Sequence, residues 1–242
     1  PARPTCAAER TRRIRRVVAA ASRNPSAIAA VIGRADTRIT RGTDRFGKLE
    51  GRSAAGASAR LAVVIVSVDR ADAAVVLGGG TNLLVRDGGF RGVVISLKQM
   101  NTIEVAREYR SLGGSFVVVH ADAGASLARL LSFSVERGLT GLEFATGIPG
   151  TVGGAICMNA GTAQGEIGDV VDTVSLLSPS GDQVSRHRDE MGFGYRTANV
   201  PPGHVVLDAT VILRHGDAGK IKAQIKKLMD QRKARQPWDL PN

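Results

Sequence analysis

Residues 75–85, VVLGGGTNLLV, place three consecutive glycines and a Thr-Asn pair between two apolar runs. Glycine takes positive φ at little steric cost, and successive backbone N–H groups in such a turn can form an anion-binding nest. Thr81 and Asn82 add a hydroxyl and an amide that can hydrogen-bond a phosphate. The alternative is a tight turn that binds nothing. We treat this first glycine loop (residues 78–82) as a candidate phosphate site.

Two common phosphate-binding patterns are excluded at this loop. A GxGxxG dinucleotide fingerprint that begins at Gly78 needs a glycine where the chain has Leu83. The P-loop pattern GxxxxGK[ST] does not occur in the sequence either. A phosphate would therefore be held by the backbone of a strand that runs into a loop.

A second glycine segment, residues 147–165, follows about 70 residues later. Its glycines alternate with apolar residues, whereas a flexible linker would be polar. Ile148-Pro149-Gly150 is typical of a turn, and Thr151 is a suitable N-cap for a short helix whose N-terminus would favour an anion. Two ordered glycine segments can clamp one elongated ligand, which favours a diphosphate over a lone phosphate.

The third candidate is the sequence Gly-Phe-Gly-Tyr-Arg at residues 192–196. Arg196 keeps its charge, and its planar guanidinium can form paired hydrogen bonds with a carboxylate or a developing oxyanion. The alternative is a surface arginine beside a half-buried Tyr195.

The hydrophobic pattern indicates which elements position these segments. Apolar runs bounded by turn residues predict strands over residues 61–68, 73–79, 92–97, 102–108, 115–124, 169–178, 182–187 and 204–213. Apolar residues at helical spacing predict helices over residues 126–138 and 219–235. The second helix has an apolar stripe at positions 221, 225 and 228, and Pro237 and Pro241 would end it. Many strands with few helices between them indicate an α+β domain.

Residues 1–60 differ from the remainder of the chain. They carry 14 Lys and Arg residues against four acidic ones, so nearly all of the net charge of +11 belongs to them. Their apolar periodicity is poor, which predicts a poorly ordered segment. A nucleic-acid-binding arm is the alternative.

The composition, 43% hydrophobic and 23% charged, is typical of a soluble globular protein. No apolar run reaches the ~18–20 residues that span a bilayer, and no signal-peptide pattern opens the sequence. We therefore expect a cytoplasmic protein with no membrane partner, a monomer by default. Cys6 and Cys157 give no disulfide framework, and the four histidines give no ligand spacing, so we expect no metal site.

Five sequences in order resemble one known family. They are VLGGGTNLLVRDGGFRGVVISL, GLEFATGIPGTVGGAICMNAG, GEIGDVV, GFGYR and RKARQPWDLPN, and together they cover roughly residues 73–242. The chain is similar to the UDP-N-acetylenolpyruvoylglucosamine reductases (UDP-N-acetylmuramate dehydrogenases), in their shorter class. The resemblance implies the FAD-binding (PCMH-type) fold of vanillyl-alcohol oxidase over residues 61–242. It further implies subdomains at about 61–100 and 101–218, a closing helix at about 219–235, and a missing C-terminal substrate domain.

The resemblance also implies a role for particular residues. Those that would bind the FAD pyrophosphate and line the flavin are Val76, Leu77, Gly78, Gly79, Gly80, Thr81, Asn82, Leu83, Gly147, Ile148, Pro149, Gly150, Thr151, Gly153, Gly154, Ala155 and Asn159. Arg196 matches the family's active-site arginine, and Arg196 and Tyr195 would contact the substrate.

In the family, hydride passes from NADPH through FAD to the enolpyruvyl group of UDP-N-acetylglucosamine enolpyruvate. A serine protonates the neighbouring carbon, and the product is UDP-N-acetylmuramate, a precursor of peptidoglycan. Hydride addition builds negative charge on the substrate carboxylate, which a fixed guanidinium would stabilise. The alternatives are a non-catalytic flavin- or nucleotide-binding fragment, and another oxidase of this fold with Cys157 as its covalent flavin ligand.

The sequence departs from the family's pattern near both ends. Family members continue beyond a QPxxLP sequence into a serine-bearing motif and a domain with a catalytic glutamate, whereas QPWDLPN ends this sequence. A Gly-Gly-Pro-Ala core, usual before the first glycine loop, has no match in residues 1–72. We therefore expect a truncated chain in which roughly residues 1–70 are an out-of-frame translation. We also expect turnover far slower than that of a full-length relative.

Overall fold

The computed structural model describes residues 62–65, 74–87, 89 and 93–235. Within them lie a three-stranded, a six-stranded and a two-stranded sheet together with helices. The arrangement confirms the α+β class. The predictions for residues 1–60, and for Pro237 and Pro241, fall outside the described residues.

The strands of the described residues are β1 (Ala62–Ile65), β2 (Ala74–Leu77), β3 (Val93–Ser96), β4 (Ile103–Ser111), β5 (Gly114–Asp122), β6 (Leu139–Thr140), β7 (Gly161–Thr162), β8 (Gly165–Glu166), β9 (Val171–Leu177), β10 (Gln183–His187) and β11 (Val205–His215). The α-helices are α1 (Leu127–Glu136), α2 (Val152–Cys157) and α3 (Ala218–Arg235).

The small sheet presents the first glycine loop. Its strand order is β1-β3-β2, with β1 antiparallel and β2 parallel to β3. Strand β2 ends at Leu77, so the loop begins at the carboxyl end of a strand, as the sequence predicts.

The large sheet provides the core. Its order is β10-β9-β11-β5-β4, with β6 paired to β11, and its strand pairs are antiparallel. Side chains alternate across β5: Val117, Val119 and Ala121 enter the core, whereas His120 lies on the opposite face. The alternation has the period of 2 of a strand, and Val118, on the same face as His120, is also buried, so the middle of β5 is covered on both faces.

The helices pack on the core face and close it. Ser126 caps α1 by accepting a hydrogen bond from the backbone N of Arg129 at 3.1 Å. In α3, Ile221 and Leu228 are buried and Ile225 is partly buried, which confirms the predicted stripe. This helix contacts the 3-10 turn Glu143–Ala145, which leads into the second glycine segment.

Each strand and helix predicted from the sequence is present, with ends that differ by a few residues. The strands β6, β7 and β8 were not predicted. Each has two residues, and so short a run cannot show a hydrophobic periodicity. The proposed subdomain boundaries stay a prediction. In the portion of the chain that the structure describes, no helix has the length and apolar character needed to cross a membrane.

Candidate functional site

The second glycine segment turns sharply into α2. Thr151 is the N-cap of this helix, and its Oγ1 accepts a hydrogen bond from Gly154 N at 3.4 Å. The segment is anchored to the loop before α1, because Leu127 N donates to Gly150 O at 3.0 Å and Val152 N donates to Ala125 O at 2.8 Å. The predicted short helix with Thr151 as its N-cap is confirmed, the chain bends at Gly150, and α2 is tied to the core at its first turn.

The first glycine loop packs directly against this turn, although the two are about 70 residues apart in sequence. A Cβ added to Gly78 would lie 2.7 Å from Thr151 Oγ1, and one added to Gly79 would lie 2.8 Å from Gly150 Cα. Real Cβ atoms essentially never approach so closely. Gly79 is therefore required by the close approach of two backbones, whereas Gly78 leaves the space that the Thr151 hydroxyl occupies.

Side chains at the end of the loop extend the same contact. Thr81 Oγ1 donates to Pro149 O at 3.3 Å, and Asn82 Nδ2 lies 3.4 Å from Met158 Sδ. Residues 79–82 and Pro149 are exposed on their outer side. We call this junction of residues 78–82 with residues 149–154 the glycine seam.

Arg196 lies beside the glycine seam. Its Nη2 donates to Asn82 Oδ1 at 2.7 Å, across 114 residues of sequence. Arg196 has φ +54, which is uncommon for a residue with a side chain. It occupies the third position of a four-residue turn, residues 194–197, in which Thr197 N donates to Gly194 O at 3.2 Å. We call these four residues the arginine turn; Tyr195 projects from it with 92% of its surface exposed.

Three of the residues predicted to bind FAD make contacts inside the protein. Asn159 is 4% exposed, and its side-chain amide is used within the protein. Ala155 is 6% exposed and belongs to the core. A Cβ on Gly153 would lie 2.8 Å from Ala123 Cβ, so this glycine allows α2 to pack on the end of β5. Their assignment to FAD binding stays a prediction.

The remaining predicted residues divide by exposure. Val76 and Leu83 are exposed, at 37% and 53%, where the loop enters and leaves the glycine seam. Leu77, Gly147 and Ile148 are partly buried, and Gly154 is exposed on α2.

Sequence reasoning missed two supporting residues. Arg232 of α3 donates from Nη1 to Thr146 O at 3.3 Å, and its side chain fills the space where a Cβ of Gly147 would lie, 3.2 Å away. Gly168 belongs to the GEIGDVV motif. A Cβ added to Gly168 would lie only 2.8 Å from Phe193 Cγ. Local patterns could not assign these roles, because both contacts join segments that are distant in sequence.

A separate group of titratable residues lies on the outer face of the large sheet. His120 Nε2 is 3.3 Å from Asp122 Oδ1, and His120 Nδ1 is 3.9 Å from Asp208 Oδ1. The hydrogen bond to Asp122 raises the pKa of His120 against the opposing effect of burial. Burial pushes the pKa of Asp122 upward, but hydrogen bonds from His120 and from Thr102 N outweigh it and lower that pKa. Burial raises the pKa of Asp208.

Neither this group nor any other in the described part of the chain brings three His, Cys, Asp or Glu residues together as a metal site. Cys157, at the end of α2, is exposed as a residue, but neighbouring atoms shield its thiol. This burial raises the pKa of the Cys157 thiol, which disfavours the thiolate that a covalent flavin bond would need.

Comparison with known proteins places this geometry in a family. The sequence model of the FAD binding domain family matches residues 58–186, which are more than half of the chain. A UDP-N-acetylenolpyruvoylglucosamine reductase of Geobacillus kaustophilus is 43% identical over 167 residues, which are 69% of this chain and 52% of the relative. The reductase of Pediococcus pentosaceus is 43% identical over 168 residues, 69% of this chain and 53% of the relative.

The fold agrees with a solved structure. The crystal structure of a UDP-N-acetylenolpyruvylglucosamine reductase from Thermus caldophilus superposes with a TM-score of 0.57 and 32% identity. The match covers 68% of this chain and 57% of that one. The chain spans about half the length of the curated relatives that it matches. The predicted FAD-binding fold is thereby confirmed.

Proposed function

The chain belongs to the FAD-binding domain family, and we propose that its glycine seam holds the pyrophosphate of FAD. The observation that carries the proposal is the contact of Gly79 with Gly150, which brings two side-chain-free backbones together on an exposed edge. Backbone N–H groups can approach an anion most closely where no Cβ intervenes. Thr81 and Asn82 contribute a hydroxyl and an amide at the same edge.

We further propose that the chain carries the chemistry of its relatives, the reduction of UDP-N-acetylglucosamine enolpyruvate to UDP-N-acetylmuramate with NADPH. Bound FAD would supply the hydride acceptor and donor. The similarity at 43% identity to two named reductases supports this assignment. A cytoplasmic location, a monomeric state and the absence of a nucleic-acid partner belong to the same proposal.

Arg196 is the residue of this chain that would act on the substrate. Its guanidinium lies at the edge of the glycine seam, 2.7 Å from Asn82, and is exposed to solvent. A fixed positive charge stabilises negative charge that develops on a substrate carboxylate, and loss of such a group typically lowers kcat by about 10²–10³. Tyr195 is exposed next to it and would contact the same substrate.

The test has two stages that separate binding from catalysis. The purified chain is expected to retain FAD, measured by flavin absorbance and by quenching of flavin fluorescence in a titration. With NADPH and UDP-N-acetylglucosamine enolpyruvate, it is expected to oxidise NADPH and to form UDP-N-acetylmuramate, measured by mass spectrometry, far more slowly than a full-length relative.

Arg196→Lys is expected to keep FAD but to lower kcat by about 10²–10³, since lysine cannot form the paired contacts of a guanidinium. The matched control is Arg186→Lys, an exposed arginine that contacts Glu190 at 2.8 Å and lies apart from the glycine seam. That variant should behave like the wild type. Retained FAD without turnover would identify a non-catalytic flavin-binding protein, and loss of FAD would contradict the proposal as a whole.

A further inference from the structure

Asn159 follows α2 and has the conformation of a helix-ending residue. Its φ is +42, and its backbone N donates to Ile156 O at 3.1 Å. The next residue, Ala160, donates to Ala155 O at 2.8 Å. These two hydrogen bonds form a Schellman motif, in which the left-handed position is usually glycine and sometimes asparagine.

A glycine would therefore satisfy the backbone of this position at least as well as an asparagine. The side chain needs a separate explanation, and its contacts supply one. Asn159 Nδ2 donates to Gly194 O at 3.0 Å, and its Oδ1 accepts from Gly168 N at 3.1 Å. The amide is 4% exposed, so both polar atoms are used inside the protein.

Gly194 is the first residue of the arginine turn, and the same carbonyl oxygen accepts the hydrogen bond from Thr197 N that closes this turn. The contact with Asn159 therefore fixes the turn relative to α2, whose first turn forms one wall of the glycine seam. Gly168, the other partner, has no room for a Cβ because Phe193 and Asn159 Oδ1 lie 2.8 and 2.9 Å from that position.

We propose that Asn159 is a positioning residue, which holds the arginine turn in register with the glycine seam so that Arg196 is aimed at the bound substrate. The proposal rests on the proposed function for its catalytic consequence. Its structural content, that the Asn159 amide orders residues 194–197, does not depend on any activity.

The decisive variant is Asn159→Gly, which keeps the left-handed backbone and removes only the amide. We expect the amide hydrogens of Gly168 and Thr197 to exchange with solvent at least about fivefold faster. Gly168 N loses its acceptor, Asn159 Oδ1, and Thr197 N donates within a turn that is no longer held in place. FAD affinity should stay within about twofold of the wild type. Asn101→Gly is the matched control, because Asn101 is exposed and its side-chain amide donates to nearby Lys98 O at 3.3 Å, away from the arginine turn. This control should change neither exchange rate.

Catalysis supplies the second measurement. Asn159→Gly is expected to lower kcat about tenfold or more, and adding it to Arg196→Lys should lower kcat no further, because both changes remove the same aimed charge. Asn159→Asp keeps the acceptor for Gly168 but sets a carboxylate against Gly194 O. Its kcat relative to the wild type should therefore recover as the pH falls and the carboxyl group gains a proton.

Unchanged exchange at Gly168 and Thr197 in Asn159→Gly would overturn the proposal. A large loss of FAD affinity in that variant would also overturn it, since Asn159 would then serve the cofactor directly. If the wild-type chain shows no turnover, the proposed activity fails, while the exchange measurements still decide whether Asn159 positions the arginine turn.

Discussion

Gly79→Ala tests the central contact of the glycine seam. The φ of Gly79 is not in the left-handed region, so alanine is compatible with its backbone. The new methyl group would lie 2.8 Å from Gly150 Cα and 3.5 Å from Gly150 C. An ordinary contact begins at 3.4 Å, so the two backbones must separate by about 0.6 Å.

Overpacking of this kind costs about 1–3 kcal/mol. Because Gly79 is exposed, the free chain can relieve the clash by moving the loop outward, at little cost in thermal stability. Binding of FAD would require the two backbones to approach again, so the cost falls on affinity. We expect the Kd for FAD to rise roughly 5- to 150-fold, measured by quenching of flavin fluorescence, while the Tm of the FAD-free chain changes little.

Gly89→Ala is the matched control, because alanine strains the backbone at Gly89 but meets no neighbouring atom, whereas at Gly79 it meets Gly150 without backbone strain. Gly89 has φ +69, and among the described residues nothing lies within 4 Å of its Cβ position, so alanine there adds backbone strain without a clash. This variant should lower Tm slightly and leave the Kd for FAD unchanged. A Kd within twofold of the wild type in Gly79→Ala, or an equal loss in Gly89→Ala, would refute the assignment of the seam to FAD.

Three further outcomes are expected. Thr151→Ala removes the cap of α2 and should cost about 1 kcal/mol of unfolding free energy; Thr151→Ser should restore most of it in a urea titration. Because folding raises the pKa of His120, this residue stabilises the fold below pH 6.5, and its contribution is lost as the pH rises through the pKa of the folded state. Because folding lowers the pKa of Asp122, this residue stabilises the fold above pH 3.8, and its contribution is lost as the pH falls. Their joint contribution should therefore be greatest between about pH 4 and 6.5, and its loss at higher pH, which belongs to His120, should disappear from the unfolding free energy in His120→Gln. Asn82→Ala should lower kcat roughly 2- to 13-fold by freeing Arg196; a wild-type kcat would show that their hydrogen bond has no catalytic role.

The sequence was sufficient to locate the longer strands, the α-helices and the three candidate segments. Periodicity located β11, α1 and α3 because each has one buried face, and burial imposes a regular pattern. Thr151 could be identified as a helix cap because its side chain acts on a residue three positions away. Predictions of this kind succeed where the physical cause is local.

The contacts between the segments could not be predicted in this way. Nothing near Asn159 in the sequence indicates that its amide meets Gly194, 35 residues later, and Arg232 meets Thr146 across 86 residues. Only the packed chain brings these groups together. The resemblance places Asn159 at the flavin, and the sequence gives no sign that its amide hydrogen-bonds Gly194 O and Gly168 N inside the protein.

Two hydrogen-bonded links join Arg196 to the glycine seam, and their strengths differ. The direct bond to Asn82 is short, at 2.7 Å, but both side chains are exposed, so its net value is about 0.5–1.5 kcal/mol. Through that bond alone, FAD at the seam and a carboxylate at Arg196 can change each other's affinity by roughly 2- to 13-fold, and by the same factor in both directions. The second link runs through Asn159, which is buried, and a buried amide that loses its partners costs about 1–3 kcal/mol. A coupling larger than about 13-fold that disappears in Asn159→Gly would therefore show that the buried link, rather than the exposed one, connects the two sites.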